Sequence, residues 1–245
     1  MTDSALLDEA LDAHGGLHRW GRVREVRASV RSGGFAPRSK LVAGSIASYA
    51  ITVTAHEPRA VFEPYPRSAR RGVFEADRVR IEDERGAVLD ERRDARAAFS
   101  GLSSLRRNLW WDHLDMLHFA GYAMWNYLTT PFLLAGPGFE LREGDPWQEG
   151  GERWQRLHVS FPPEVPTHNR EQTLYFDEQG LLRRHDYTAE VFGGWANAAH
   201  YCYEHRESDG IVFPTRRRVY PRRRDGRPRV RPTIVWIDLD DVAMA

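Results

Sequence analysis

The chain has 245 residues, 41% of them hydrophobic and 29% charged, and its 35 basic and 35 acidic residues balance to zero formal charge. That length and apolar share are enough for one large domain with its own core, and neutrality excludes a global field that would gather nucleic acid or anionic lipid. The one cysteine, Cys202, excludes an internal disulfide. The acidic start Met1-Thr-Asp-Ser-Ala-Leu-Leu-Asp-Glu-Ala10 lacks the apolar core of an export signal, so a cytoplasmic, reducing location is expected.

The first predicted element is a helix. Asp3 or Ser4 can cap it, Ala5, Leu6, Ala10, Leu11 and Ala13 form a helical stripe, and Gly15-Gly16 ends it. Strand signals follow. Val26, Ala28 and Val30 alternate with Arg27, Ser29 and Arg31; Tyr49, Ile51 and Val53 alternate with Ala50, Thr52 and Thr54; Val79 and Ile81 lead into an Arg85-Gly86 turn. This period of two belongs to a half-buried antiparallel sheet.

The middle of the chain, from about Asp94 to Ala135, carries helical signals. From Phe119 to Phe139 it contains no Asp, Glu, Lys or Arg, in a sequence otherwise dense in charge. A spanning helix needs about 20 apolar residues, but Asn126, Thr129 and Thr130 are polar here, and Pro131, Pro137, Gly136 and Gly138 interrupt the helix. A residue before proline is pushed out of the α region, so the helix is predicted to stop near Thr130. The segment therefore reads as a buried helix and a Pro/Gly corner packed against a sheet, with no membrane span.

After Gly138 the strands return. Leu157, Val159 and Phe161 share one face, and Leu174 and Phe176 precede the Asp177-Glu-Gln-Gly180 turn. Leu181–Val191 and Ala198–Arg206 form two arms around a Gly193-Gly194 loop, and Val212–Tyr220 and Pro232–Leu239 form two more around Asp225-Gly226. No repeat and no dividing linker is present. The fold expected is α+β in a single domain, residues 1–245: one strongly curved antiparallel sheet with an N-terminal helix and a central helical plug at about 94–135.

Three pieces of sequence carry a resemblance. They are Ala13-His-Gly-Gly16 closing the first helix, the hairpin Phe176-Asp-Glu-Gln-Gly-Leu-Leu-Arg-Arg184, and the strand-turn-strand Tyr203-Glu-His-Arg-Glu-Ser-Asp-Gly-Ile-Val-Phe-Pro214. Together they resemble the lipoprotein-carrier (LolA-like) superfamily, and Ala120-Gly-Tyr-Ala-Met-Trp-Asn-Tyr-Leu-Thr-Thr-Pro-Phe132 resembles the core of a bacterial group of that kind. The resemblance implies an open half-barrel with helices plugging its concave face, where the carriers hold acyl chains. Such carriers work outside the inner membrane behind a signal sequence. The acidic start departs from that, so a cavity for an apolar or amphipathic ligand carries over and lipoprotein traffic does not.

Three constellations offer chemistry. Trp111, Asp115, His118 and Tyr122 recur at helical spacing and share one face. A carboxylate beside an imidazole fixes its tautomer and raises its basicity, which makes Asp115 and His118 a candidate general-base pair. Trp111, Tyr122, Trp125, Asn126 and Tyr127 are the candidate ligand contacts of that helix, although aromatics on such a helix also pack on ordinary grounds.

The second constellation is His185, His200 and His205, with Tyr187 nearby. A five-residue loop pairs His185 with His205, and a tighter loop pairs it with His200, because turn type sets register. His168 is a possible third imidazole. His185 joins the catalytic candidates, and Tyr187 and His200 join the ligand contacts. No local metal-ligand signature accompanies them, so sheet histidines are expected rather than a metal site.

The third constellation is nine arginines between Arg216 and Arg231. With the chain neutral and no nucleic-acid-binding motif present, they read as the solvent faces of a hairpin, and nucleic acid is not expected as a partner. No phosphate loop or nucleophile elbow appears, and Cys202, mid-strand, reads as an inert thiol. The sequence leads to a protein that encloses a hydrophobic or amphipathic small molecule. The alternative is an enzyme on the same scaffold, using a His/Asp base or a His-bound metal. Cofactor and oligomeric state are left open.

Overall fold

The computed structural model describes residues 4–99 and 104–245. Ser4 caps α1 (Ala5–Ala13) by accepting from the Leu7 N–H at 3.3 Å; Asp3, the other cap candidate, lies outside the described residues. α1 buries Leu6, Leu7, Ala10 and Leu11, the one-sided stripe of an amphipathic helix. A short α2 (Leu17–Trp20) follows, then β1 (Glu25–Gly33), whose inner residues alternate buried and exposed, and a short α3 (Phe35–Ser39).

From β1 the chain meanders outward through β2 (Ser48–Thr54), β3 (Arg59–Glu63), β4 (Arg70–Glu75), β5 (Arg78–Asp83) and β6 (Val88–Arg93). It then crosses, through α4 (Ser104–Leu109) and α5 (His113–Thr129), to the opposite edge. There β7 (Glu140–Glu149), β8 (Glu152–Ser160), β9 (Glu171–Phe176), β10 (Leu182–Thr188), β11 (Asn197–Ser208), β12 (Ile211–Pro221) and β13 (Val235–Met244) return to the centre, where β13 pairs with β1. The result is one open 13-stranded antiparallel sheet in the order β6-β5-β4-β3-β2-β1-β13-β12-β11-β10-β9-β8-β7. The α+β expectation with an N-terminal helix and a central helix holds. β3, β4, β6 and β7 were not among the expected strands. β4 buries Gly72, Val73 and Phe74 in succession and so has no period of two, while β6 is exposed at nearly every residue.

α5 is the charge-free plug. Every residue from Leu114 to Thr129 is buried, and the helix ends at Thr129, capped by Thr130, just before Pro131. It lies on β2 to β5 with one side, and with the other it reaches β12, where Arg217 Nη2 donates to the Tyr127 carbonyl at 2.7 Å. Touching both halves of the sheet requires the sheet to curl around it. Gly121 allows the closest approach, since a Cβ there would run into Phe74 of β4. Asp112 and Asp115 form a capping box at its start, which satisfies orphan N–H groups at both ends of the box. Among the described residues no helix is long and apolar enough to cross a membrane.

The three sequence motifs meet in space. His14, at the end of α1, donates from Nδ1 to the Ala10 carbonyl at 2.7 Å and accepts at Nε2 from the Leu182 N–H at 3.5 Å. His205 Nε2 donates to the Leu182 carbonyl at 3.0 Å, and the Val212 N–H donates to the His14 carbonyl at 3.0 Å. Gly15 has φ +117°, and any side chain there would strike the Gly210 carbonyl; only glycine fits. Burial lowers the His14 pKa to about 4, as suits an imidazole with one ring nitrogen donating and the other accepting.

Candidate functional site

The pleat of β10, β11 and β12 turns a polar row toward α5. His185 pairs with His200, His200 with Val219, and Cys202 with Arg217. The tighter hairpin register is the one adopted, so His200, not His205, lies opposite His185, with ring centroids 6.2 Å apart. His168, from the β8–β9 connection, stacks on Tyr187 at 3.8 Å. The Tyr127 hydroxyl lies 2.8 Å from His168 Nε2 and 2.9 Å from the Tyr187 hydroxyl, and the Tyr122 hydroxyl lies 3.3 Å from His168 Nδ1. His185 Nε2 pairs with the side-chain oxygen of Gln172.

Burial sets the charge state of this cluster. It lowers the His185 pKa to about 3, takes His168 and His200 well below their ordinary value, and raises Tyr122, Tyr127 and Tyr187. The imidazoles are neutral at pH 7 and far from the near-neutral pKa that suits a general base. Among the described residues no group of three or more His, Cys, Asp or Glu side chains is arranged to hold a metal ion.

The expected Asp115–His118 hydrogen bond is not made. Their spacing does put both on one helix face, but arginines from neighbouring elements take the carboxylate. Asp115, fully buried, accepts from Arg92 Nη1 at 2.7 Å, Arg106 Nη2 at 2.9 Å, Arg107 Nε at 2.6 Å and the Asp112 N–H at 3.2 Å. His118 packs instead among Phe74, Phe99 and Tyr122, its Nε2 has no partner among the described residues, and burial, with Arg96 and Arg92 nearby, lowers its pKa to about 3.

The other candidates are tied to the backbone, and Trp111 lies in the link between α4 and α5 rather than on the helix expected to carry it, because Asp112 caps α5 one residue later. Trp111 Nε1 donates to the Arg107 carbonyl at 2.9 Å, Trp125 Nε1 to the Thr54 carbonyl at 3.1 Å, and Asn126 Nδ2 to the Tyr122 and Pro166 carbonyls at 2.7 Å each. The arginine hairpin also differs from expectation at one position. Arg217, read as solvent-facing, is buried, whereas Arg223, Arg224, Arg227, Arg229 and Arg231 are exposed.

A pocket opens at the edge of this core. Its volume is about 230 Å³, and it lies between α3, the β10–β11 loop, the end of β12 and the start of β13. Phe35, Phe192, Trp195 and Ile234 give it an apolar wall, and Phe119 and Tyr187 form its inner side. Trp195 is 79% exposed and Phe35 59% exposed, both on the pocket wall. Arg222 is the one charged residue on it among the described residues, with Nε 3.6 Å from Asp186 Oδ2. Of the seven ligand contacts expected from sequence, Tyr187 alone lines the pocket; Trp111, Tyr122, Trp125, Asn126, Tyr127 and His200 lie in the packed interior. Sequence reasoning missed Phe35, Trp195 and Ile234. The signal available for Trp195 was a large aromatic directly after two glycines, a loop too open to bury it.

No protein-family model matches the chain, and no curated protein matches it. Solved structures do. A DUF1329 family protein from Desulfovibrio piger is 12% identical, with 98% of this chain and 92% of that one covered and a TM-score of 0.52. A LolA superfamily protein from Nitrosomonas europaea is 11% identical over 96% and 90% of the two chains, with a TM-score of 0.50. A putative outer membrane lipoprotein-sorting protein domain from Vibrio parahaemolyticus is 7% identical over 98% and 90%, with a TM-score of 0.53. At such identities the likeness speaks to architecture, and the architecture is LolA-like: one open antiparallel sheet wrapped around a central helix.

Proposed function

We propose that the chain encloses a hydrophobic or amphipathic small molecule in the pocket beside Tyr187. The observation that carries this reading is the pocket itself, about 230 Å³ with apolar walls drawn from separate segments and two exposed aromatics among them. An apolar cavity of about 150 Å³ takes benzene, and ligand pockets run to about 300–1,000 Å³, so this one suits a short acyl chain or a single ring system. Eight buried methylenes at about 0.8 kcal/mol each give roughly 6 kcal/mol of gross burial energy, from which the cost of association is subtracted. Among the described residues the wall includes no histidine and no carboxylate, which favours holding a ligand over transforming it. The description of one protein of this fold as a lipoprotein-sorting domain adds an analogy at the level of the fold. A cytoplasmic setting is part of the same proposal, and the free, buried thiol of Cys202 is compatible with it.

The test is titration with a fluorescent ten-carbon acyl probe. Saturable binding of one probe per chain is expected, and Ala196→Trp, which adds bulk from the partly exposed loop into the pocket, is expected to abolish it without lowering the thermal midpoint. Absence of binding, or binding that Ala196→Trp leaves intact, would refute the reading.

A further inference from the structure

Beyond the pocket's inner wall the sheet carries a buried cation with no anion. Arg217 is 1% exposed. Its Nη1 donates to Cys202 Sγ at 3.3 Å and its Nη2 to the Tyr127 carbonyl at 2.7 Å, its guanidinium lies 5.0 Å from the Tyr127 ring centre, and its Nε has no partner among the described residues. Among the described residues no carboxylate pairs with it. Cys202 does not supply the charge, because burial pushes its thiol pKa up despite the pull of Arg217. The contrast with Arg184 is direct: equally buried, that residue holds Asp186 at 2.7 Å and Glu149 at 2.8 Å. His200, fully buried on the neighbouring strand, has both ring nitrogens unpartnered among the described residues, although a neutral imidazole always has one N–H to give. An uncompensated buried charge and an unsatisfied buried donor are each costly, and here they flank one tyrosine ring, with His200 4.5 Å from Tyr127.

These groups begin where the pocket wall ends. On β12 the wall holds Pro221 and Val219, and the next residue facing the same way is Arg217; on β11 it holds Ala198, and the next is His200. One such step is about 7 Å. Tyr187 belongs to both regions, since it lines the pocket and its ring lies 6.1 Å from that of His200.

We propose that Arg217 and His200 form the acid end of the binding site, so that the molecule enclosed is an amphipathic acid. Its carboxylate accepts from the Arg217 Nε–H and from the His200 N–H, and its tail fills the apolar pocket. Tyr187 is the partition, and it swings aside on binding, giving up its 2.9 Å bond to the Tyr127 hydroxyl. This inference rests on the pocket reading above and adds the chemical class of the ligand.

Calorimetry with decanoate and decanol at pH 7.5 separates the two claims. The acid is expected to bind the wild-type protein about tenfold or more tightly than the alcohol, as a charge-assisted contact requires. Arg217→Met is expected to bring acid affinity down to that of the alcohol while leaving alcohol affinity within about twofold. Replacing a buried charge by an apolar side chain of similar size is often tolerated; Arg222→Met, which removes the cation on the pocket wall itself, is expected to leave the preference for acid in place, and loss of the preference there would overturn the inference. Equal affinities for acid and alcohol in the wild type would overturn the inference and leave the pocket reading standing. Binding of neither would overturn both.

Discussion

Gly121→Ala sets two well-defined effects against each other. In the interior of a helix alanine is favoured over glycine by about 1 kcal/mol, so propensity alone predicts a more stable protein. The packing of α5 predicts the opposite. A Cβ at position 121 would meet the Cβ and Cγ of Phe74 well inside van der Waals contact and its Cδ2 at 2.8 Å. Phe74 is fully buried, and its own Cβ is fixed to β4, which is paired to β3 on one side and β5 on the other. The ring cannot swing clear, so α5 must lift from the sheet. Overpacking of this kind costs about 3 kcal/mol at the upper end of its usual range. Subtracting the propensity gain leaves a net loss of about 2 kcal/mol, which for a chain of this size lowers the thermal midpoint by roughly 4–8 °C. Thermal unfolding followed by circular dichroism, with urea titration alongside, reads it directly. A midpoint equal to or above the wild type would refute the seating of α5 on Phe74.

Asp115→Asn is expected to cost about 3 kcal/mol, because it removes the carboxylate that Arg92, Arg106 and Arg107 share in a buried setting; an unchanged urea midpoint would contradict the structural role given to it. Stability is also expected to fall as pH drops from 6.5 toward 4. Burial holds the pKa of His14 at about 4 and those of His118 and His185 at about 3, so in this window the unfolded chain binds protons that the folded chain does not. Each of these histidines contributes about 1.4 kcal/mol of loss per pH unit there, and urea midpoints at pH 7, 6 and 5 that do not decline would show that these rings are solvated.

The charge-free stretch from Phe119 was the strongest signal of architecture in the sequence, because a run without any ionised side chain has to be hidden and its prolines fix where the helix stops. The alternation in β1 and β2 was equally direct. β4 and β6 escaped because one is buried on both faces and the other on almost neither, and period-two patterning needs one face of each kind. Of the site, Tyr187 and the approach of His185 to a second imidazole across the hairpin were legible, since a hairpin brings near neighbours in sequence together, but the choice of His200 over His205 needed the register that the structure shows. The Asp115–His118 pair was misread for a physical reason: helical spacing states which side chains are near each other but not which arginines arrive from β6 and α4 to take the carboxylate. Phe35, Trp195 and Ile234 come from three short apolar segments far apart in the chain, and only the meeting of β13 with β1 and of β12 with β11 puts them around one pocket. Arg217 was hidden among eight other arginines of the same stretch, and strand pleating alone distinguishes it from the exposed ones.

The most direct test of an enclosed ligand is native mass spectrometry of the protein as purified, set against the same sample denatured and against the native sample after incubation with decanoic acid. The account predicts one organic adduct per chain that is lost on denaturation, or uptake of one decanoic acid by a chain that arrives empty. A bare mass in every condition would contradict it.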